Sequence, residues 1–438
     1  MRRARETNPM NPANPARPTA LGARNWAVLG LLGLSGQVAW NVENNWFNVF
    51  VYDEVTPDPG PIAIMVAVSA IVATLTALVM GAASDRVGKR RPFIAAGYVL
   101  WSASMIAYPM AAWAPSAAAA VFLVIALDAV MTFFGATAND AAFNAWATDI
   151  TVPGNRGRVE ALLNVMPVVA VVVGMGASGF LIDRFGYVPF FFALGGLVLA
   201  TGLAGSALLR ESPSLRPAEA GPGFWRSLVA IVSPAEIRSR KELYVVFIAM
   251  AVFSIGVQIS NPYEIIYLNA YVGISKSMTG MITAMVGPVL VLFALPIGRL
   301  TDKGKGFPVA FGGFIVSALG QFLFSTTSSV ALLTLFAVLK SVGFLMFIVL
   351  GAWHRDLVPE GSRGAYQGVR LFFAVLVPMV IGPAVGSAII KALGSPITSN
   401  GQAGFVPPPA IYWVSAAVIL ASVAPVWALY RLRKGKAL

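Results

Sequence analysis

Twelve apolar stretches, each long enough to cross a bilayer as a helix, limit what this chain can fold into. They fall at 26–51, 61–83, 92–113, 116–147, 159–182 and 187–209, and resume at 243–270, 277–300, 307–325, 329–353, 365–390 and 409–430. A helix of about 20 residues spans the hydrocarbon core with every backbone hydrogen bond satisfied internally. A water-facing globule carries about 25% charged residues. Here 11% of 438 residues are charged and 57% are hydrophobic. The expected fold is an all-α membrane protein of twelve transmembrane helices.

Basic residues set the expected orientation. The N-terminal tail, the loops after even-numbered stretches and the C-terminal tail hold 26 of the 31 Lys and Arg. Only Arg184, Lys276 and Lys391 fall in the other loops, while Lys340 and Arg370 lie within stretches. The positive-inside rule then places both termini in the cytoplasm. The net charge of +12 is therefore topological, and no nucleic-acid partner is expected. The chain divides into a polar tail expected to be disordered (1–24), a six-helix bundle (25–209), a cytoplasmic connector (210–242), a second bundle (243–430) and a basic tail (431–438). Within the connector, Phe224–Val232 reads as a short interfacial helix.

The absence of cysteine and the single histidine, His354, exclude disulfides, thiolate metal sites and His-rich metal centres. No catalytic residue and no cofactor are expected. His354, at the inner end of the tenth stretch, reads as a surface residue. Gly88-Lys89 and Gly304-Lys305 lack the Gly-x4-Gly-Lys-Ser/Thr phosphate cradle, so ATP is not an expected partner.

The two halves repeat each other. Gly81-x3-Asp85-Arg86-x-Gly88-Lys89-Arg90 answers to Gly298-x3-Asp302-Lys303-Gly304-Lys305. Ala145-Trp146-x2-Asp149, followed by Arg156-Gly157, answers to Ala352-Trp353-x2-Asp356 and Arg363-Gly364 at an offset of 207. Gln37-x5-Glu43-x4-Asn48 answers to Gln258-x5-Glu264-x4-Asn269 at an offset of 221. Repeated six-helix halves with a binding site between them are the plan of rocking secondary transporters.

On these motifs the chain resembles the major facilitator superfamily. Ser84-Asp85-Arg86 with Arg90-Arg91-Pro92-Phe93-Ile94 is similar to the sucrose/H⁺ symporters, and Asn139-Asp140-x3-Asn144-x4-Asp149 resembles the glycoside–pentoside–hexuronide:cation symporters. The resemblance implies a monomeric, multi-pass protein of a bacterial inner (plasma) membrane that moves a sugar- or glycoside-like solute by alternating access. It implies a proton as coupling ion rather than Na⁺, because the second stretch holds no carboxylate. It also implies cytoplasmic gate networks at Asp85, Arg86, Arg90, Asp149, Arg156, Asp302, Asp356 and Arg363, with Asp85 meeting the start of helix 11. An exporter of a hydrophobic metabolite or drug is the alternative.

Ionisable groups at mid-depth cost roughly 2.5–3.5 kcal/mol each on insertion scales and face a cavity or a partner. They lie on stretches 1, 4, 7 and 10, which line the cavity in the resembled fold. Glu43, Asp128, Asp140 and Lys340 are the candidates for proton coupling, with Asp140 the first choice and an Asp128–Lys340 pair expected at matching depth. Gln37, Trp40, Asn41, Asn44, Asn48, Asn139 and Asn144 from the first half are the candidate solute contacts. Gln258, Asn261 and Glu264 join them from the second, because amides offer donors and acceptors to hydroxyls. Pro262 removes a donor and kinks its helix there. Tyr263, Tyr267 and Tyr271 read as an outer interfacial belt, and Arg370 as a snorkelling residue.

Overall fold

The computed structural model describes residues 21–152, 154–212, 215–217, 234–359 and 363–434. The connector segment Phe224–Val232 lies outside them. The first half contains α1 (23–55), α2 (Pro59–Val87), α3 (Arg91–Trp113), α4 (Ala117–Asp149), α5 (Arg156–Phe185) and α6 (Tyr187–Leu208). The second contains α7 (Lys241–Val272), α8 (Lys276–Leu300), α9 (Gly306–Phe324), α10 (Val330–Leu357), α11 (363–393) and α12 (Ala410–Lys434). A short helix, Pro234–Ser239, precedes α7. Helix α1 is the least apolar, carrying Asn41, Glu43, Asn44, Asn45 and Asn48 through its middle.

Helix ends follow local chemistry. The Asp58 carboxylate caps α2 by accepting from Gly60 N at 2.8 Å, and Pro59 opens that helix with a preset φ. Ser116 and Ser275 cap α4 and α8 from Ala119 N and Met278 N, each at 3.2 Å. Gly304, at φ 75°, turns the chain from α8 into α9.

The halves meet through α5 against α8 and α2 against α11, equivalent positions in the repeat. Small residues allow that approach. A Cβ on Gly179 would sit 2.2 Å from the Lys276 carbonyl oxygen, and one on Gly280 2.3 Å from that of Met175.

Contacts between the halves concentrate on the face opposite the termini. A hairpin of β1 (Ser395–Ser399) and β2 (Gln402–Val406) turns at Asn400-Gly401, both at positive φ. It lies over the α1–α2 loop. Phe405 N donates to Pro57 O at 3.1 Å. The Tyr52 hydroxyl donates to Phe405 O at 3.2 Å and the Asn400 amide to Asp53 O at 2.8 Å. Lys276 pairs with Asp53 at 3.0 Å and Lys391 with Asp58 at 2.9 Å. Asp183 accepts from the Ser277 N–H and hydroxyl, at 2.7 and 2.6 Å.

Toward the termini, ion pairs among the described residues stay within a half: Arg90 with Asp85 and Asp149, and Arg433 with Glu242. The apolar core shows the same division. One cluster runs through the first half and across to Tyr263, Tyr267, Phe324, Ile390 and Tyr412. A separate cluster fills the terminal end of the second half, around Leu243, Phe247, Phe314, Trp353 and Leu429. The halves are thus closed on the far face and parted toward the basic, terminus-bearing face. The tyrosine belt is a correction: Tyr263 and Tyr267 are buried in this shared core, and Tyr271, half exposed, stacks on Tyr267.

Gly280→Leu is expected to force α5 and α8 apart and to cost about 1–3 kcal/mol, the range for overpacked sites. Thermal unfolding in detergent checks this against Gly298→Leu, whose Cβ meets open space and which leaves the midpoint in place.

Candidate functional site

A cavity of about 540 Å³ lies between the halves at mid-depth. Its position follows from the break in α7. Pro262 has no N–H, and the chain tightens into a single 3₁₀ turn over Asn261–Tyr263 before continuing. That turn leaves Asn261 and Glu264 lining the space, with Asn41 and Asn45 of α1 also on its wall. Lys340 of α10 donates to Glu264, and its ammonium lies 4.5 Å from the centre of the Phe324 ring. Gln321 of α9 is locked by donating to the Ser260 and Ser415 hydroxyls at 2.5 and 2.8 Å. The opposite wall is apolar, from Pro167, Val168 and Val171 of α5 and Val286 and Leu290 of α8. One side offers amides and a charge pair, the other flat hydrocarbon.

A second cluster is buried in the first half. The Thr132 hydroxyl donates to Glu43 at 2.9 Å and lies 3.1 Å from the Ser69 hydroxyl, which in turn donates to Asp128. Glu43 is 5% exposed and Asp128 2%. The second oxygen of Glu43 has no partner, and among the described residues no ion pair reaches either acid. The backbone opens into wider, π-type turns over Glu43–Phe47 and Ala136–Phe143, a distortion frequent where helices carry function. Asp140 sits in the second of these turns, beside Trp40.

Of the solute contacts expected from sequence, the cavity collects Asn41, Asn261 and Glu264, together with Lys340. The others are placed elsewhere. Asn44 and Asn48 return their amides to their own helix, at Trp40 O and Asn44 O. Asn139 donates to the Tyr98 hydroxyl at 3.0 Å and packs against Gly36. Trp40 packs on Trp101, Asn144 donates to Asp140 O, and Gln258 abuts Gly382. Gln37 is half-buried and not part of the lining.

Sequence reasoning missed Asn45 and Gln321. Asn45 is one turn from Asn41, whose carbonyl takes its amide N–H at 2.8 Å so that its Oδ1 is what it can offer the cavity, and it was within reach of the same argument; Gln321 lies on a helix that carries no charged residue. The expected Asp128–Lys340 pair does not form, because Asp128 turns toward Ser69 of α2 while Lys340 reaches Glu264 inside its own half.

At the basic face, Arg90 is 4% exposed and bridges Asp85 at 2.5 Å and Asp149 at 3.0 Å. Asp85 thus has a partner within its own half. Arg86 and Arg156 are exposed, and Asp302 and Asp356 line a surface recess with Arg355 and Arg433. The side chain of Arg363 lies outside the described residues. His354 is a correction: it is 6% exposed and packs on Phe247 at 5.4 Å.

Residues 29–257 and 246–437 each match the family model of the Major Facilitator Superfamily. The inner membrane transport protein YajR of Escherichia coli (strain K12) is 27% identical over 157 residues, 35% of this chain; the chain spans 34% of that relative's length. Among solved structures, the nucleoside transporter NupG matches with a TM-score of 0.70 at 15% identity, covering 93% of this chain and 99% of that one. A D-xylose–proton symporter matches with a TM-score of 0.64 at 15% identity, covering 92% and 96%. At such identities the likeness speaks for the fold.

Lys340→Met leaves Glu264 without its cation and is expected to cost on the order of 3 kcal/mol, the lower end for a broken buried pair, because the cavity admits water. Adding Glu264→Gln should recover most of that loss. Thermal unfolding of the single and double variants decides the point.

Proposed function

The chain belongs to the major facilitator superfamily, and from that premise we propose that it imports a polar, hydroxyl-bearing solute of the sugar, glycoside or nucleoside class together with a proton. The observation that carries this reading is the mid-depth cavity on the boundary between the halves, with Asn41, Asn45, Asn261 and Gln321 around the Glu264–Lys340 pair. Amides and a charge pair match vicinal hydroxyls, and the apolar α5–α8 wall suits the face of a ring. A solute there touches both halves at once, so its binding energy can differ between their two arrangements.

The coupling ion is assigned to the first half. Glu43 and Asp128 are buried acids bridged by Thr132 and Ser69. A proton relieves the cost of burying that charge. Asp140, in the adjoining wide turn nearer the basic face, is proposed as the exit step. The charge asymmetry of the loops supports a cytoplasmic basic face, which makes the present arrangement inward-open. The bacterial inner membrane is the proposed location. The apolar wall also favours a second reading, export of a hydrophobic metabolite or drug.

Reconstitution in liposomes tests the reading. A panel of sugars, glycosides and nucleosides is expected to include a solute that evokes inward current, insensitive to Na⁺ and larger at acidic outside pH. Asn261→Ala should lower apparent affinity by about tenfold or more, the value of one lost hydrogen bond to a polar ligand. Glu43→Gln with Asp128→Asn should abolish proton-driven accumulation yet retain solute exchange. Silence across the panel, with transport of hydrophobic cations instead, would transfer the assignment to the exporter reading.

A further inference from the structure

The basic end of the second half holds a pocket that the transport reading does not use. It has a volume of about 460 Å³ and lies between the inner ends of α10 and α11, where Phe347, His354, Arg355, Gln367 and Arg370 line it. Among the described lining residues the charges have one sign. Arg355 repels Arg370, and both act on His354. Arg370 contacts Gln367 at 3.1 Å, and no acidic residue is among the described lining. The nearby carboxylate of Glu236 accepts from the Tyr366 hydroxyl and from Arg240, both at 2.5 Å. His354 is 6% exposed and bonds the Tyr366 backbone, and its Nε2 has no partner among the described residues.

The internal repeat shows that the fold does not require this chemistry. At the offset of 207, His354, Arg355, Gln367 and Arg370 correspond to Ala147, Thr148, Glu160 and Leu163. Those four line a matching pocket of about 300 Å³ in the first half, where Arg156 is accompanied by Glu160. Among the described residues, the same backbone recess thus carries balanced charge in one half, and in the other two arginines beside an imidazole that bonds the Tyr366 backbone and has Nε2 left over. Snorkelling explains one arginine at a helix end, but it does not explain two arginines and a histidine gathered around one recess.

We propose that this pocket binds a phosphoryl-bearing anion at the basic face, either the headgroup of an anionic phospholipid or a soluble phosphate ester. Guanidinium forks match phosphoryl oxygens. The volume exceeds that of a bare oxyanion, since a water occupies about 30 Å³, and so leaves room for the ester group. This site is independent of the solute cavity, and its assignment stands whichever solute is carried.

The full chain in nanodiscs provides the test, with thermal midpoint and native mass spectrometry as readouts. One arm adds inorganic phosphate or glycerol phosphate to discs of phosphatidylcholine; the other replaces part of that lipid with phosphatidylglycerol. Wild type and Arg156→Gln should be stabilised in at least one arm, and the arm that responds identifies soluble ester or headgroup. Arg355→Gln with Arg370→Gln should lose the shift and the retained anion. Gln367→Glu, which copies the first half's residue into the pocket, should lose them too, and it carries the test if the double variant does not fold. A response in these variants equal to wild type, or no response of wild type in either arm, overturns the proposal.

Discussion

A charge inside hydrocarbon must find a partner or water, and that requirement organises the middle of this protein. The internal repeat makes the result a controlled comparison, because Glu43 and Glu264 occupy equivalent positions on α1 and α7. In the second half the acid meets Lys340 of α10. In the first half it meets Thr132 of α4, since the residue equivalent to Lys340 is Phe133 and its neighbours offer no cation. The first half instead holds a second acid, Asp128, where the second half has Leu335. One half therefore solves the problem with an internal salt bridge. The other leaves two buried acids whose partners among the described residues are hydroxyls, with no cation paired to either.

The same economy of charge is seen where the halves close. Sequence topology leaves three basic residues on the sparsely charged face, and two of them, Lys276 and Lys391, pair with Asp53 and Asp58 across the boundary. Exposed pairs are worth about 0–1 kcal/mol each, so they do not hold the face shut alone. Backbone contact at Gly179 and Gly280, the hairpin over Pro57 and a continuous apolar core add to them. Many weak contacts suit an interface that must open, whereas one strong contact would trap it.

Much of this was legible in the chain. Span lengths, charge asymmetry and the repeat are one-dimensional properties, and they led to the twelve-helix architecture and to the superfamily. The break at Asn261-Pro262 could be read because proline acts locally. Partner choice was harder. Periodicity says which residues share a helix face, but not which turn of a facing helix stands opposite, and Lys340 was accordingly assigned to Asp128 rather than Glu264. The amides of α1 show a related difficulty, for a stripe of asparagines reads as a wall although Asn44 and Asn48 fold back onto main-chain carbonyls. The hairpin carried its own signal in Asn400-Gly401, which was passed over in a sequence dominated by helical periodicity. The burial of His354 had none, since it depends on Phe247 arriving from α7.

Joining the two clusters gives the proposed mechanism its direction. The solute cavity borders α1, which on the same turn carries Glu43 into the first-half cluster. Asn41 and Asn45 flank Glu43 on the same helix, so a shift of α1 that accommodates solute also moves an acid whose charge state depends on its surroundings. With the acids charged, keeping them in that buried cluster is costly; with a proton bound, that cost falls. The Glu264–Lys340 pair needs no such help, because it is already neutral as a unit. On this account the second half binds and positions, the first half senses the ion, and α1 is the element on which both depend.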